Sequence, residues 1–180
     1  MIIKASIQVG NPLIRARARR VSNSRTKAVR KVVRDLTDSM RFHELVGMAA
    51  PQIGKSLRIF ITEIRETKLR KGDSLKNIDG LRIFINPRIK SFSRKETRGW
   101  EGCGSVASSN LFGIVKRSAS LVIEAQDKNG KNFKLKADRL LARVIQHEMD
   151  HLNGKVFSDK ADPSTYMSQN EYLKLRAKKK

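Results

Sequence analysis

His147-Glu148-Met149-Asp150-His151 closes a run, Leu140-Leu141-Ala142-Arg143-Val144-Ile145-Gln146, whose apolar spacing predicts a buried helix. Residues four apart share one face of a helix, so both imidazoles can reach a single metal ion. Glu148 projects beside them, where a carboxylate can take a proton from water. A catalytic metal site usually has three protein ligands and an open position. The single cysteine of the chain, Cys103, stands in Glu101-Gly102-Cys103-Gly104-Ser105 and is a natural third ligand. Together these residues suggest metal-assisted hydrolysis. Plainer readings stand beside this one: His-Glu-x-x-His also arises by chance on helices, and a lone cysteine is usually a small buried hydrophobe. The glycines flanking Cys103 favour a backbone that passes close to something over the middle of an apolar strand. His43 has no partner at ligand spacing.

A length of 180 residues suits one domain with a real core. One cysteine excludes an intrachain disulfide and fits a reducing compartment. No apolar stretch approaches the ~20 residues that span a bilayer. The opening, Met1 to Ile7, is too short and too lightly apolar for a signal peptide, so a cytoplasmic protein without a membrane partner is expected. Lys and Arg number 39 against 17 Asp and Glu, a formal charge of +22, which predicts attraction to polyanions such as RNA or an anionic membrane surface. There is no aromatic RNA-binding stripe and no paired-cysteine finger. Phosphate contact is therefore expected, and base reading is not.

Val29, Val32, Val33, Leu36 and Met40 form a stripe at helical spacing, with Ser24 or Thr26 as the cap. Residues 44–54, small and interrupted by Pro51, exclude a long regular element. Leu57 to Thr62 and Leu81 to Ile85 read as strands, the second stopped by Asn86-Pro87. The basic loop between them, residues 65–80, is the expected place for mobility. Further strands are expected over Leu111 to Arg117, Leu121 to Gln126 and Phe133 to Leu135, with a hairpin turn at Asn129-Gly130. The helix carrying the histidines should run from about Asp138 to Leu152 and stop at Asn153-Gly154. A last helix is expected from near Asp162-Pro163-Ser164 into the lysine-rich end. The fold class is α+β: antiparallel or mixed sheets packed around the central metal-binding helix, with an N-terminal helix and a C-terminal helix or tail.

Three segments, Val46-Gly47-Met48-Ala49-Ala50-Pro51-Gln52, Glu101-Gly102-Cys103-Gly104-Ser105 and His147-Glu148-Met149-Asp150-His151, resemble in order and separation the signature motifs of peptide deformylase. The likeness extends from Gln8-Val9-Gly10-Asn11-Pro12 to about Phe157. It implies a catalytic domain over residues 1–160, followed by a basic helix or tail over 161–180. It also implies a hydrolase that removes the formyl group from the initiator methionine of nascent polypeptides, releasing formate. Cys103, His147 and His151 match the metal ligands of the family; the ion is usually Fe(II), and zinc or nickel can take its place. Glu148 matches the general base and acid, while Gln52 and the Gly104 N–H match the donors to the oxyanion. An extended N-formylmethionyl peptide would pair beside Val46 and Gly47, and Leu140 and Val144 would wall the methionine pocket. For Leu140 an ordinary core position fits the sequence equally well. The basic end, Lys174 to Lys180, would meet ribosomal RNA. Two residues depart from the family pattern: Leu45 stands where glycine is usual, and Gly104 where an apolar residue, often leucine, is usual. A non-catalytic member that binds the ribosome or RNA is the alternative. A metalloprotease using the same helix would leave Cys103 and the first motif unexplained.

Overall fold

In Ile59-Phe60-Ile61 successive side chains point to opposite faces of a strand, and each face meets a helix. The computed structural model describes residues 3–70 and 78–178. Part of the 65–80 loop, together with Lys179 and Lys180, lies outside the described residues.

The chain runs α1 (Pro12–Arg15), α2 (Lys27–Phe42), β1 (Gly47–Ala49), β2 (Ile59–Ile64), β3 (Asp79–Phe92), β4 (Glu96–Gly102), β5 (Leu111–Ser118), β6 (Ser120–Gln126), β7 (Asn132–Asp138), α3 (Arg139–Leu152), β8 (Ala161–Ser168) and α4 (Gln169–Ala177). Five strands pair in the order β1-β2-β3-β6-β7 and three in the order β4-β5-β8, all antiparallel. This is the expected α+β class. The strands β1 and β4 are both edge strands, one in each sheet.

Ile59, Ile61 and Ile85 pack with Val29, Val33, Leu36 and Met40 of α2 on one face of the larger sheet. Phe60 and Phe84, stacked at 4.5 Å, pack with Ala142, Ile145, Met149 and Leu152 of α3 on the other. A third cluster joins Ile14, Cys103, Val115, Val156 and Phe157 beneath the smaller sheet. The helix α3 thus lies between the sheets and is buried around much of its girth, with polar Gln146, Glu148, Asp150 and His151 among its buried residues. Thr26 caps α2 by accepting from the Val29 N–H, whereas Ser24 is buried and makes no such cap. The hairpin at Asn129-Gly130 forms as expected, with Gly130 at φ +78°.

Three expectations about the strands are corrected. Asn86-Pro87 does not end β3 but bulges it: Asn86 takes φ +52°, the register shifts there, and its amide exchanges two hydrogen bonds with the Val21 backbone. Strand β4 was not expected at all. Asp162-Pro163-Ser164 lies inside β8, which pairs with β5, so the last helix begins at Gln169.

At the C-terminus of α3, Gly154 takes φ +73°, and a Cβ there would come within 2.2 Å of the Arg15 carbonyl oxygen. Both backbone conformation and close approach exclude a side chain. Gly154→Ala should therefore destabilise the protein by more than ~1 kcal/mol, the usual scale of a positive-φ substitution, because it must also displace the Arg15 backbone. Urea unfolding checks this, and an unchanged midpoint would contradict it.

Candidate metal centre

The two histidines sit one turn apart on α3, and the loop after β4 brings Cys103 to them. One ligand atom each from Cys103, His147 and His151 lies within 4.8 Å of the others. Cys103 Sγ is 3.2 Å from His151 Nε2. His147 uses Nδ1 to meet Glu101 Oε2 at 2.9 Å, which leaves Nε2 for the centre. Burial opposes ionisation of Cys103, but the imidazoles of His151 and His147 outweigh it and hold the thiol down at about 5. A buried thiolate facing two ring nitrogens is the donor set of a borderline-soft divalent ion. The Oε2 atom of Glu148 is buried with no hydrogen-bond partner among the described residues, as expected for a group that awaits a ligand. The residues fit a metal.

Burial pushes the Glu148 carboxyl up to about 7, against the pull of both histidines. Its approach to β1 requires glycine: a Cβ at Gly47 would lie 2.5 Å from Glu148 Oε1 and 2.7 Å from Val144 Cγ1. Gln52 is fixed from both ends. Its Oε1 accepts from the Ala49 N–H at 2.8 Å, and its Nε2 donates to Ser105 Oγ at 3.4 Å and to Cys103 Sγ at 3.7 Å.

Behind His147 lies a network that the sequence did not reveal. Glu101 accepts two hydrogen bonds from Arg117 and one from Arg143 at 2.7 Å, and Arg117 also pairs with Asp150. Burial would raise the Glu101 carboxyl, but hydrogen bonds from Arg117 and His147 overcome this and hold it well below the usual carboxylate range. For His147 burial works against charge, and the bonds to Cys103 and Glu101 raise it well above the ordinary imidazole range.

The centre opens into a cleft of about 880 Å³, counting its mouth, between the edge strands β1 and β4. Val46, Gly47, Leu140 and Val144, expected at the substrate, all line it, as do Gln52, Gly104 and Glu148. His43 stays outside, its Nε2 2.9 Å from the Lys4 carbonyl oxygen. Missed by the sequence were Trp100, Phe112 and Tyr172. Tyr172 of α4 stacks on Phe112 at 4.3 Å and meets Trp100 at 5.8 Å, so the C-terminal helix is a wall of the cleft. Strand β4 and the start of α4 carry no periodic apolar signal that would have placed them there.

The departures at Leu45 and Gly104 lie side by side. A Cβ at Gly104 would sit 3.4 Å from Leu45 Cδ1 and 2.8 Å from Ser6 Oγ. The Leu45 side chain thus reaches into the space that a larger residue 104 would fill. Leu45 itself has no positive φ; that conformation falls on Glu44, at +57°.

The sequence profile of the family "Polypeptide deformylase" matches residues 3–166. A peptide deformylase of Dictyoglomus thermophilum is 35% identical over 170 residues, covering 94% of this chain and 100% of that protein. Peptide deformylase 2 of Rickettsia conorii is 43% identical over 134 residues, 73% of this chain and 65% of that protein. Among solved structures, the class I type b peptide deformylase of Acinetobacter baumannii bound to Met-Ala-Ser superposes with a TM-score of 0.81 at 26% identity, covering 89% of this chain and 100% of that one. The peptide deformylase of Ehrlichia chaffeensis gives 0.79 at 27% identity, covering 99% and 97%.

Glu101→Gln should lower metal affinity by ~10–100-fold, because the partner that orients a ligating imidazole is weakened. Chelator competition on folded protein measures this, and unchanged affinity would exclude the role. The stability supplied by Glu101 is present above the ordinary carboxylate pKa and is lost as the pH falls toward its depressed folded value. The variant should therefore show a shallower acid limb. A second test joins the departures: Gly104→Leu alone should slow turnover and destabilise, and adding Leu45→Gly should recover part of both, the contact with Ser6 remaining. Additive losses in that double-mutant cycle would deny the exchange.

Proposed function

The chain belongs to the polypeptide deformylase family and is a deformylase hydrolase of that metal-dependent family, and we propose that Cys103, His147 and His151 hold its ion, Fe(II) in the cell. The observation that carries this assignment is the convergence of those three ligand atoms beside a buried carboxylate without a partner. The non-catalytic alternative is overturned, because the matched relatives and solved structures are deformylases. A metalloprotease is set aside on the same ground.

When bound, the ion supplies Lewis acidity and lowers the pKa of water. Glu148 stands beside the ligands to accept a proton from the attacking water and to deliver it to the departing amine, as the formyl C–N bond breaks and formate leaves. Its environment suits exchange in both directions near neutral pH. Gln52 Nε2, fixed by the Ala49 bond at the far end of the same amide, and the N–H of Gly104 are the donors to the oxygen that gains charge. The Ala49 bond holds the Gln52 amide in place before substrate arrives, so only the long Nε2 contacts to Ser105 and Cys103 give way to the oxyanion.

An extended formyl-Met peptide adds between β1 and β4, the unpaired edges of the two sheets, with Val46 and Gly47 offering backbone. Backbone pairing accepts any sequence after the methionine, and the A. baumannii relative bound to Met-Ala-Ser supports a peptide ligand. Leu140 and Val144 wall the methionine side chain. Beyond them Arg143 is committed to Glu101, Thr97 and the Val115 carbonyl, so it closes the pocket without offering its charge.

Among the described residues no helix is long and apolar enough to cross a membrane. We place the enzyme in the cytoplasm, where its nascent substrates emerge. We further propose that Lys174 to Lys180 meet ribosomal RNA, on the same helix from which Tyr172 reaches the cleft.

Release of formate from formyl-Met-Ala-Ser by anaerobically purified, iron-loaded protein is the direct test. Glu148→Ala should keep its metal and lose turnover by several orders of magnitude. Gln52→Leu should lose ~10²–10³ in kcat with little change in KM. Near-normal turnover of the Glu148 variant would overturn the assignment.

A further inference from the structure

On the side of α3 away from the cleft, the structure gathers positive charge. Leu140, Val144, His147 and Glu148 face the cleft, whereas Gln146, Met149, Asp150 and Asn153 face a second concavity. That concavity continues into a groove of about 1620 Å³, counting its open mouth, and the two share Arg17, Arg58 and Arg88. Arg20 and Lys134 extend the same lining. Arg17, Arg20, Arg88 and Lys134 are exposed, and neither these four nor Arg58 forms an ion pair among the described residues. The acids nearby are committed: Glu124 pairs with Lys90, and Asp150 with Arg117 and Lys160.

The groove is built into the fold. The Arg58 N–H donates to Arg19 at 2.7 Å, the Arg58 carbonyl accepts from Asn86 at 2.8 Å, and its guanidinium donates to Leu152 and Asn153 at the end of α3. Arg88 stands at the bulge in β3. Burial, and then the charges of Arg17 and Arg20, lower the Arg58 pKa, so the fold holds like charges together at a cost. Glu124 lies across the strands from both Arg88 and Lys134, but one carboxylate against the five cations of this lining leaves an excess of positive charge that suits an anion.

We propose that this groove is a docking site for the phosphodiester backbone of RNA. Its extent and openness suit a continuous polyanion better than one small anion, and its concavity suits a rod better than a flat membrane. Phe133 in its lining is engaged with Phe84 at 5.5 Å, and Phe92 is the exposed ring of the adjoining concavity, so the basic side chains along the groove meet phosphates and do not read bases. Because the groove lies behind α3, RNA held there leaves the cleft open to a peptide.

The test uses the full chain and a labelled RNA duplex of about 16 base pairs. Replacing Arg17, Arg20 and Arg88 by Gln should weaken binding at least tenfold near ~100 mM salt and reduce the slope of log K against log salt by ~2–3. Turnover of formyl-Met-Ala-Ser should be unchanged. A control removing Lys27, Arg34 and Lys95, which are exposed elsewhere, subtracts the same charge. Equal weakening in both triples would show diffuse attraction and overturn the groove. Loss of binding to phosphatidylglycerol vesicles with RNA affinity intact would assign the surface to membranes and overturn it as well.

Discussion

One buried carboxylate ties the catalytic parts together. Glu101 stands one residue before the end of β4, Arg117 belongs to β5, and Arg143 and His147 rise from α3, and these last three meet the same two carboxylate oxygens. Removing these charges from water is costly unless every donor and acceptor is matched. The matching restricts geometry more than it adds stability. With Glu101 in place, β4 cannot slide along β5, α3 cannot rotate, and the His147 ring has one orientation. The loop that carries Cys103 begins two residues after Glu101, so the same anchor sets the thiolate against both imidazoles.

Close approach is the complementary constraint. The Glu148 carboxylate lies against β1 only because Gly47 has no side chain. Leu45 and Gly104 show the same economy of volume, where the Leu45 side chain lies beside the space that glycine leaves at 104. Changes at the two positions are thus best understood as a pair, and neither touches a ligand.

The ligand trio was legible because helical spacing and a single cysteine leave few arrangements. The α2 stripe and the Asn129-Gly130 hairpin were legible for equally local reasons. Strand β4 was not: Glu96-Thr97-Arg98-Gly99-Trp100 has neither alternation nor apolar content, and it becomes a strand through pairing with β5 and the Arg143 hydrogen bonds to its backbone. Asp162-Pro163-Ser164 imitates a helix start, with Ser164 bonded to Asp162, yet Thr165 ties the segment to Ile114 of the sheet. The buried network around Glu101 escaped because sequence separation hides it; only the fold brings residues 101, 117, 143 and 147 together.

The position of Tyr172 has a consequence for biosynthesis. A chain is made from its N-terminus, and this wall of the cleft comes from α4, after both sheets and α3. A growing copy therefore carries its metal ligands before its cleft is finished. The cleft is thus the last part of the fold to be completed, and a chain cut short before Tyr172 would hold its ligands beside an open wall.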